Sequence, residues 1–201
     1  MSEAPAAPQQ HEKFAHAHYN VKRPLFNFFS FQITDPEGNL SFYVRQKAFK
    51  LKEDIRVFGD KDRTEELLLI KARSVIDFSA AYDVMDSITG EHIGVLRRKG
   101  WKSMFRDEWE MLDPEELHIG RIREDSGGLA FLRRFLTNLI PQSFHFETEE
   151  GDRLAEFNQA FNPFVYRMAL DFSADPEQKH LDRRMAIATA VLLVAIEGRQ
   201  Q

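Results

Sequence analysis

Met185-Ala-Ile-Ala-Thr-Ala-Val-Leu-Leu-Val-Ala-Ile196 holds a single polar side chain, Thr189, in twelve residues. Asp175-Pro176-Glu177 ahead of it has the form of a helix start: Asp as N-cap, Pro at the first helical position, an acid in the first turn. Gly198 behind it suits a C-cap. The pattern predicts a helix over about 176–197 that is apolar on every face, and such a helix must be enclosed by lipid or by protein. Twelve residues at 1.5 Å each reach roughly 18 Å, against a bilayer core of about 30 Å. Arg183, Arg184, Glu197 and Arg199 fix the limits of the apolar run. Burial inside protein is the expectation, with no membrane-spanning segment. The small residues Ala186, Ala188, Ala190 and Ala195 suit a narrow tube whose walls carry the large side chains.

The wall is legible upstream as a repeated strand–turn–strand unit. Phe31-Gln-Ile-Thr-Asp35-Pro-Glu-Gly38 leads into Leu40 to Arg45, and Tyr82-Asp-Val-Met-Asp86-Ser-Ile-Thr-Gly90 leads into Glu91 to Arg97. Trp109-Glu-Met-Leu-Asp113 leads through Pro114-Glu-Glu into Leu117 to Arg123, and Phe144 to Gly151 leads into Asp152 to Phe157. Apolar residues alternate at period two, as half-buried strands require. An Asp that can bond the backbone ahead of it, followed in most copies by a Gly that accepts positive φ, reverses the chain. Leu67 to Arg73 and Phe164 to Leu170 are further strands, with Ser74 to Phe78 running towards the next hairpin. Leu129 to Leu139 fits a short amphipathic helix stopped at Pro141.

Composition bounds the rest. With 201 residues, 43% of them hydrophobic, the chain can bury one large core. A net charge of −5 from 27 basic and 32 acidic residues gives a mixed surface with no global attraction to nucleic acid. The absence of cysteine removes disulfides, thiolate metal sites and cysteine nucleophiles, and fits a reducing compartment. Residues 1–22 are expected to form a disordered leader, neither signal peptide nor membrane span. His11, His16 and His18 in it are a candidate loose metal tract, outweighed by their reading as solvated side chains because no carboxylate stands at ligand spacing. Residues 23–198 are expected to form one domain.

The hairpins, Ile93-Gly-Val-Leu-Arg-Arg98 after the second turn, and the closing Leu181-Asp-Arg-Arg-Met-Ala-Ile187 resemble the tubby C-terminal-like superfamily. The resemblance is nearer to its LURP-one-related and phospholipid-scramblase branch and covers about residues 25–198. It implies a mainly β fold: a closed, twelve-stranded antiparallel β-barrel around a central hydrophobic C-terminal α-helix. It also implies candidate activities. Scramblases carry an acidic calcium segment, with two Asp separated by one residue, before the last helix. Here Asp171, Asp175 and Glu177 stand at wider spacing, weak calcium candidates for an ion that needs six to eight oxygens. Scramblases of this type also use acylated cysteines, and this chain has none.

Tubby proteins bind phosphoinositides through a basic surface. The nearest equivalent is Arg97-Arg98-Lys99-Gly-Trp101-Lys102-Ser-Met-Phe105-Arg106, where cations interleave with aromatics. Cations attract anionic headgroups and an indole suits the membrane interface. Arg97, Arg98, Lys99, Trp101, Lys102 and Arg106 are therefore the candidate lipid-binding residues. The alternative is a solvated hairpin whose aromatics pack inward. No phosphate loop, H-E-x-x-H or G-x-S-x-G motif occurs, and no catalytic residue, cofactor or metal centre is expected. The sequence thus predicts a non-enzymatic barrel protein of the cytoplasm that binds anionic phospholipid or a partner protein at a membrane surface. A structural or adaptor protein without lipid affinity is the first alternative, and a calcium-dependent scramblase the second.

Overall fold

The protein is described by a computed structural model over residues 10–24, 29–46, 54–73, 80–98, 108–125, 141–162 and 164–196. Among these residues twelve strands form one closed barrel. They are β1 (His18–Pro24), β2 (Ser30–Thr34), β3 (Leu40–Gln46), β4 (Ile55–Phe58), β5 (Glu66–Ala72), β6 (Ala81–Asp86), β7 (His92–Arg98), β8 (Glu108–Leu112), β9 (His118–Glu124), β10 (Ser143–Thr148), β11 (Arg153–Ala160) and β12 (Val165–Asp171). Each strand pairs antiparallel with its sequence neighbours, and β1 closes the barrel against β12 over seven residue pairs, His18 opposite Asp171 to Pro24 opposite Val165. Closure leaves no unpaired strand edge. A helix, α1 (Arg183–Ile196), runs through the barrel, and all fourteen of its residues are buried. The anticipated enclosure of an apolar rod by strands is the architecture observed.

The quoted hairpins are β2–β3, β6–β7, β8–β9 and β10–β11. The Asp35, Asp86 and Asp113 carboxylates accept backbone N–H bonds from Asn39 (2.7 Å), Ile88 (2.9 Å) and Leu117 (2.8 Å). Gly38, Gly90 and Gly151 take positive φ, and Glu116 does so in the third copy without a glycine. A fifth unit, β4–β5, escapes the sequence pattern because its turn uses Asp60, bonded by Thr64 and Glu65, with Arg63 at positive φ. In all five hairpins the register shifts near the turn, as a bulge that bends and twists the strands would do.

These five turns gather at one end of the barrel, the end where α1 enters. Arg184, in its first turn, donates to Asp86 (2.8 Å) and Glu91 (2.7 Å) beside the β6–β7 turn, and forks onto Asp182. At the opposite, exit end Arg23 donates from Nη1 to the Val194 carbonyl at 2.7 Å. Gly94 on β7 lets the helix approach: a Cβ there would collide with the Leu112 carbonyl and meet Met185 Cε at 3.0 Å.

Two boundaries differ from expectation. The helix expected over 176–197 begins at Arg183, because Gln178 takes φ 56° and Asp175 spends its carboxylate on the N–H groups of Lys179, His180 and Leu181. Asp182 is the cap instead, accepting from Arg184 N–H at 2.8 Å while its carbonyl accepts from Ala186 at 3.1 Å. The leader boundary at 22 falls inside β1, and a short 3-10 helix (Glu12–Phe14) precedes it. Phe14 is buried 4.8 Å from the Phe42 ring, and the buried Tyr19 hydroxyl donates to the Lys13 carbonyl. Burial pushes the Tyr19 phenol up to about 12, against the opposing influence of a bond from His16 N–H and of nearby Arg183. Polar residues hid this segment: only Phe14, Tyr19 and Val21 are apolar enough to anchor it, and the rest hold through partners distant in sequence, such as Gln10 on Asp182. The helix expected at Leu129–Leu139 and the continuation at Ser74–Phe78 lie outside the described residues.

Candidate functional site

Since α1 fills the interior, recognition falls to the outer surface, and the strands divide that surface in two. From β6 to β10 the outward rows form a lattice of opposed charges. Arg73 clamps Asp83 from Nε (3.0 Å) and Nη2 (2.6 Å) and reaches Glu116 from Nη1 (2.7 Å). His92 Nε2 lies 3.1 Å from the same Asp83. The Arg73 hydrogen bonds hold the Asp83 and Glu116 carboxyls below the usual range. Further round, Arg123 stands 3.9 Å from Glu108 and 3.4 Å from Glu147, and the buried His145 is 2.8 Å from Asp125.

The candidate lipid-binding residues enter this lattice at its edge. Arg97 donates to Glu116 at 3.0 Å and lies 3.9 Å from Glu110, so its charge is already opposed. Arg98 stands opposite the buried Trp109 in the ladder and shares its inward-facing row, with its backbone N–H on the Ala80 carbonyl. The alternation of a strand sends these two neighbours to opposite faces. Lys99, Trp101, Lys102 and Arg106 lie outside the described residues. The weak calcium candidates do not converge either. Asp171 accepts from Ser173 N–H and stands 3.5 Å from His18, Asp175 holds three backbone N–H groups, and Glu177 pairs with Lys179. His11 meets Glu65, His16 meets the Tyr19 ring edge-on and His18 faces Asp171, three separate partners. Among the described residues no group of three His, Cys, Asp or Glu is placed to hold a metal ion.

The other half of the surface, β12–β1–β2–β3, is more open and differently charged. Lys22 and Arg167 are exposed and directly opposite one another on β1 and β12. Arg45 projects from β3, opposite Arg56 of β4, which Glu66 engages. Among the described residues Lys22, Arg45 and Arg167 have no carboxylate partner. The exposed phenylalanines stand at the exit end of these strands: Phe29 (40% exposed) before β2, with Phe161 (52%) and Phe164 (72%) between β11 and β12. Asn162 Oδ1 accepts the N–H groups of Phe164 (2.9 Å) and Val165 (3.0 Å), a tight turn that leaves both rings outside. Sequence reading missed this group because Lys22 and Arg167 are brought together only by barrel closure. The one local signal was Asn162-Pro163 between two phenylalanines, a turn whose apolar flanks are not needed by the core.

An X-ray structure of a protein from Arabidopsis thaliana superposes with TM-score 0.52 at 12% identity, covering 94% of this chain and 97% of that one. At that identity the likeness concerns the fold. No match is found among curated protein sequences. The LURP-one-related family matches residues 40–193, from the start of β3 to within α1. With well over half of its length so matched, and with the barrel and helix in place, the chain belongs to the LURP-one-related family.

Proposed function

We propose that this protein is a non-catalytic barrel module that associates peripherally with anionic phospholipid surfaces. The carrying observation is the placement of the exposed Phe161 and Phe164, with the partly exposed Phe29, at the exit end of the barrel, an apolar patch open to a binding surface. Rings at a membrane interface and cations beside anionic headgroups are complementary to such a surface. The strand ends flanking the candidate basic hairpin belong to the same end. So do those flanking Lys47, Lys50 and Lys52, and those flanking Arg133 and Arg134, while the acids in these three connections are Glu53, Asp54, Asp107 and Asp125. The chain as a whole is acidic, so this bias is local. No helix of the described residues is long and apolar enough to cross a membrane. Calcium-dependent scrambling gains no support, since Asp171, Asp175 and Glu177 are each engaged separately.

Vesicle flotation tests the reading. Bound protein should rise steeply when phosphatidylserine is added to phosphatidylcholine vesicles and fall again at high salt, as screening requires. Equal flotation on both compositions, or none, would overturn it in favour of an adaptor role without lipid affinity.

A further inference from the structure

We infer that the outer face of β12–β1–β2–β3, with Lys22, Arg45 and Arg167 beside Phe29, Phe161 and Phe164, is the surface that docks on an anionic bilayer. The inference rests on the lipid-surface reading above but assigns it to residues other than the Arg97–Arg106 hairpin. Three observations carry it. First, like charges directly opposite one another in a β-ladder repel, and here Lys22 faces Arg167 with no carboxylate among the described residues to relieve them. The nearest acid along β12 is Asp171, four residues and roughly 13 Å away, and it faces His18. Second, most arginines elsewhere on the barrel are handled differently. Arg73, Arg97, Arg123 and Arg153 each stand within ion-pair distance of a carboxylate. Arg121 of β9 makes no ion pair among the described residues but stands between Glu110 and Glu147 in the ladder. Lys22 and Arg167 instead face each other, and a face so charged is suited to an anion from outside.

Third, the cations and the rings share one side of one end. Arg167 faces Ala160, the residue before Phe161, and lies two positions into β12 beyond Val165, which follows Phe164. Arg45 faces Ser30, the residue after Phe29. Lys22 and Arg45 are two strands and two residues apart, about 12 Å at ordinary strand geometry. Rings at the rim with cations just behind them match the layering of a bilayer surface, where acyl chains lie deeper than phosphates. Closure of the barrel leaves no strand edge here, so edge protection does not explain the exposed cations.

The test uses the full chain and flotation on phosphatidylserine/phosphatidylcholine vesicles. Each basic residue near such a surface contributes about fivefold to binding, so replacing Lys22, Arg45 and Arg167 by Gln should weaken vesicle partition roughly a hundredfold. Phe161→Ser with Phe164→Ser should weaken it at unchanged salt dependence. Lys22→Glu alone separates docking from folding: it places Glu opposite Arg167, so melting temperature should hold or rise while binding falls. Replacing Lys99, Lys102 and Arg106 by Gln should leave most binding intact. If the wild type floats and the triple variant floats equally well, this surface is not the docking face, although the lipid-surface reading stands. If the wild type does not float at all, that reading fails with it. Loss of binding in Lys22→Glu accompanied by a fallen melting temperature would also count against the assignment.

Discussion

Arg183 and Arg184 are sequence neighbours with opposite circumstances. Arg184 is nearly buried and answered by Asp86, Glu91 and Asp182, three carboxylates that tie the start of α1 to the β6–β7 turn. Burial alone would lower its basicity, but those hydrogen bonds outweigh it and raise it above the ordinary value. Arg183 is fully buried with one bond, from Nη2 to the Asp175 carbonyl, and a stacking contact 4.4 Å above the Phe172 ring. Its Nε and Nη1 have no hydrogen-bond partner, and desolvation lowers its basicity. Arg184→Met, which strands Asp86 beside an apolar side chain, should cost about 3 kcal/mol. Arg183→Met removes a charge with no carboxylate partner and keeps the volume, so stability should hold or increase. Urea denaturation of the two variants checks the contrast, and equal losses would refute it.

Among the elements, α1 is the one whose surroundings are most demanding. It has no polar face, and each buried Ile, Leu, Val or Met side chain contributes about 1.5–3 kcal/mol over exposure. Its one internal polar side chain, Thr189, bonds the Met185 carbonyl one turn back and so needs nothing from the wall. At Gly94 the wall comes close to Met185 of the helix. Gly94→Ala should destabilise the fold by about 1–3 kcal/mol, since the added methyl meets the Leu112 carbonyl, a backbone atom that cannot move aside without disturbing the β7–β8 ladder. The same substitution at Gly38, where nothing stands within 4 Å, should cost less and through positive φ alone. Thermal melts of both variants compare crowding with conformation.

For the whole molecule, acid should be the sensitive direction. Asp83 is held below the usual carboxylate range by Arg73. Asp86 and Asp175 are pushed up by desolvation, but backbone N–H bonds, joined at Asp86 by Arg184, outweigh this and hold them below it too. A carboxyl with depressed folded-state pKa contributes stability that is fully present above its unfolded value, about 3.9, and is lost as pH falls through the folded value. Unfolding free energy should therefore be flat on this account above about pH 5 and drop below about pH 4. Asp175→Asn should lower stability near neutrality and make the acid decline shallower. A pH series of denaturant melts decides this, and an unchanged acid slope in the variant would exclude Asp175 as a contributor. Vesicle binding belongs to the same scale, because the proposed docking face is assembled only when β12 and β1 are joined.

Local chemistry made much of this molecule legible in advance. An apolar run too short for a bilayer, four strand reversals, three of them Asp-led, and period-two alternation are properties of neighbouring residues, and they led to strands closed around a helix. They misplaced the helix start because Asp175 does bond the backbone ahead of it, as a cap would, but around a turn at Gln178 that no local pattern marks. They missed most of β1, where few apolar residues carry the signal, and β4, whose turn into β5 places its positive φ on Arg63 rather than on a glycine. The surface lay beyond them for a different reason. Whether a cation is free or opposed depends on which strand lies beside it, so Arg97 in a promising basic run is held by Glu116, while Lys22 and Arg167, 145 positions apart, share an open face. Side-chain character is written along the chain; charge neutralisation is decided across the ladder, and only the closed barrel fixes that.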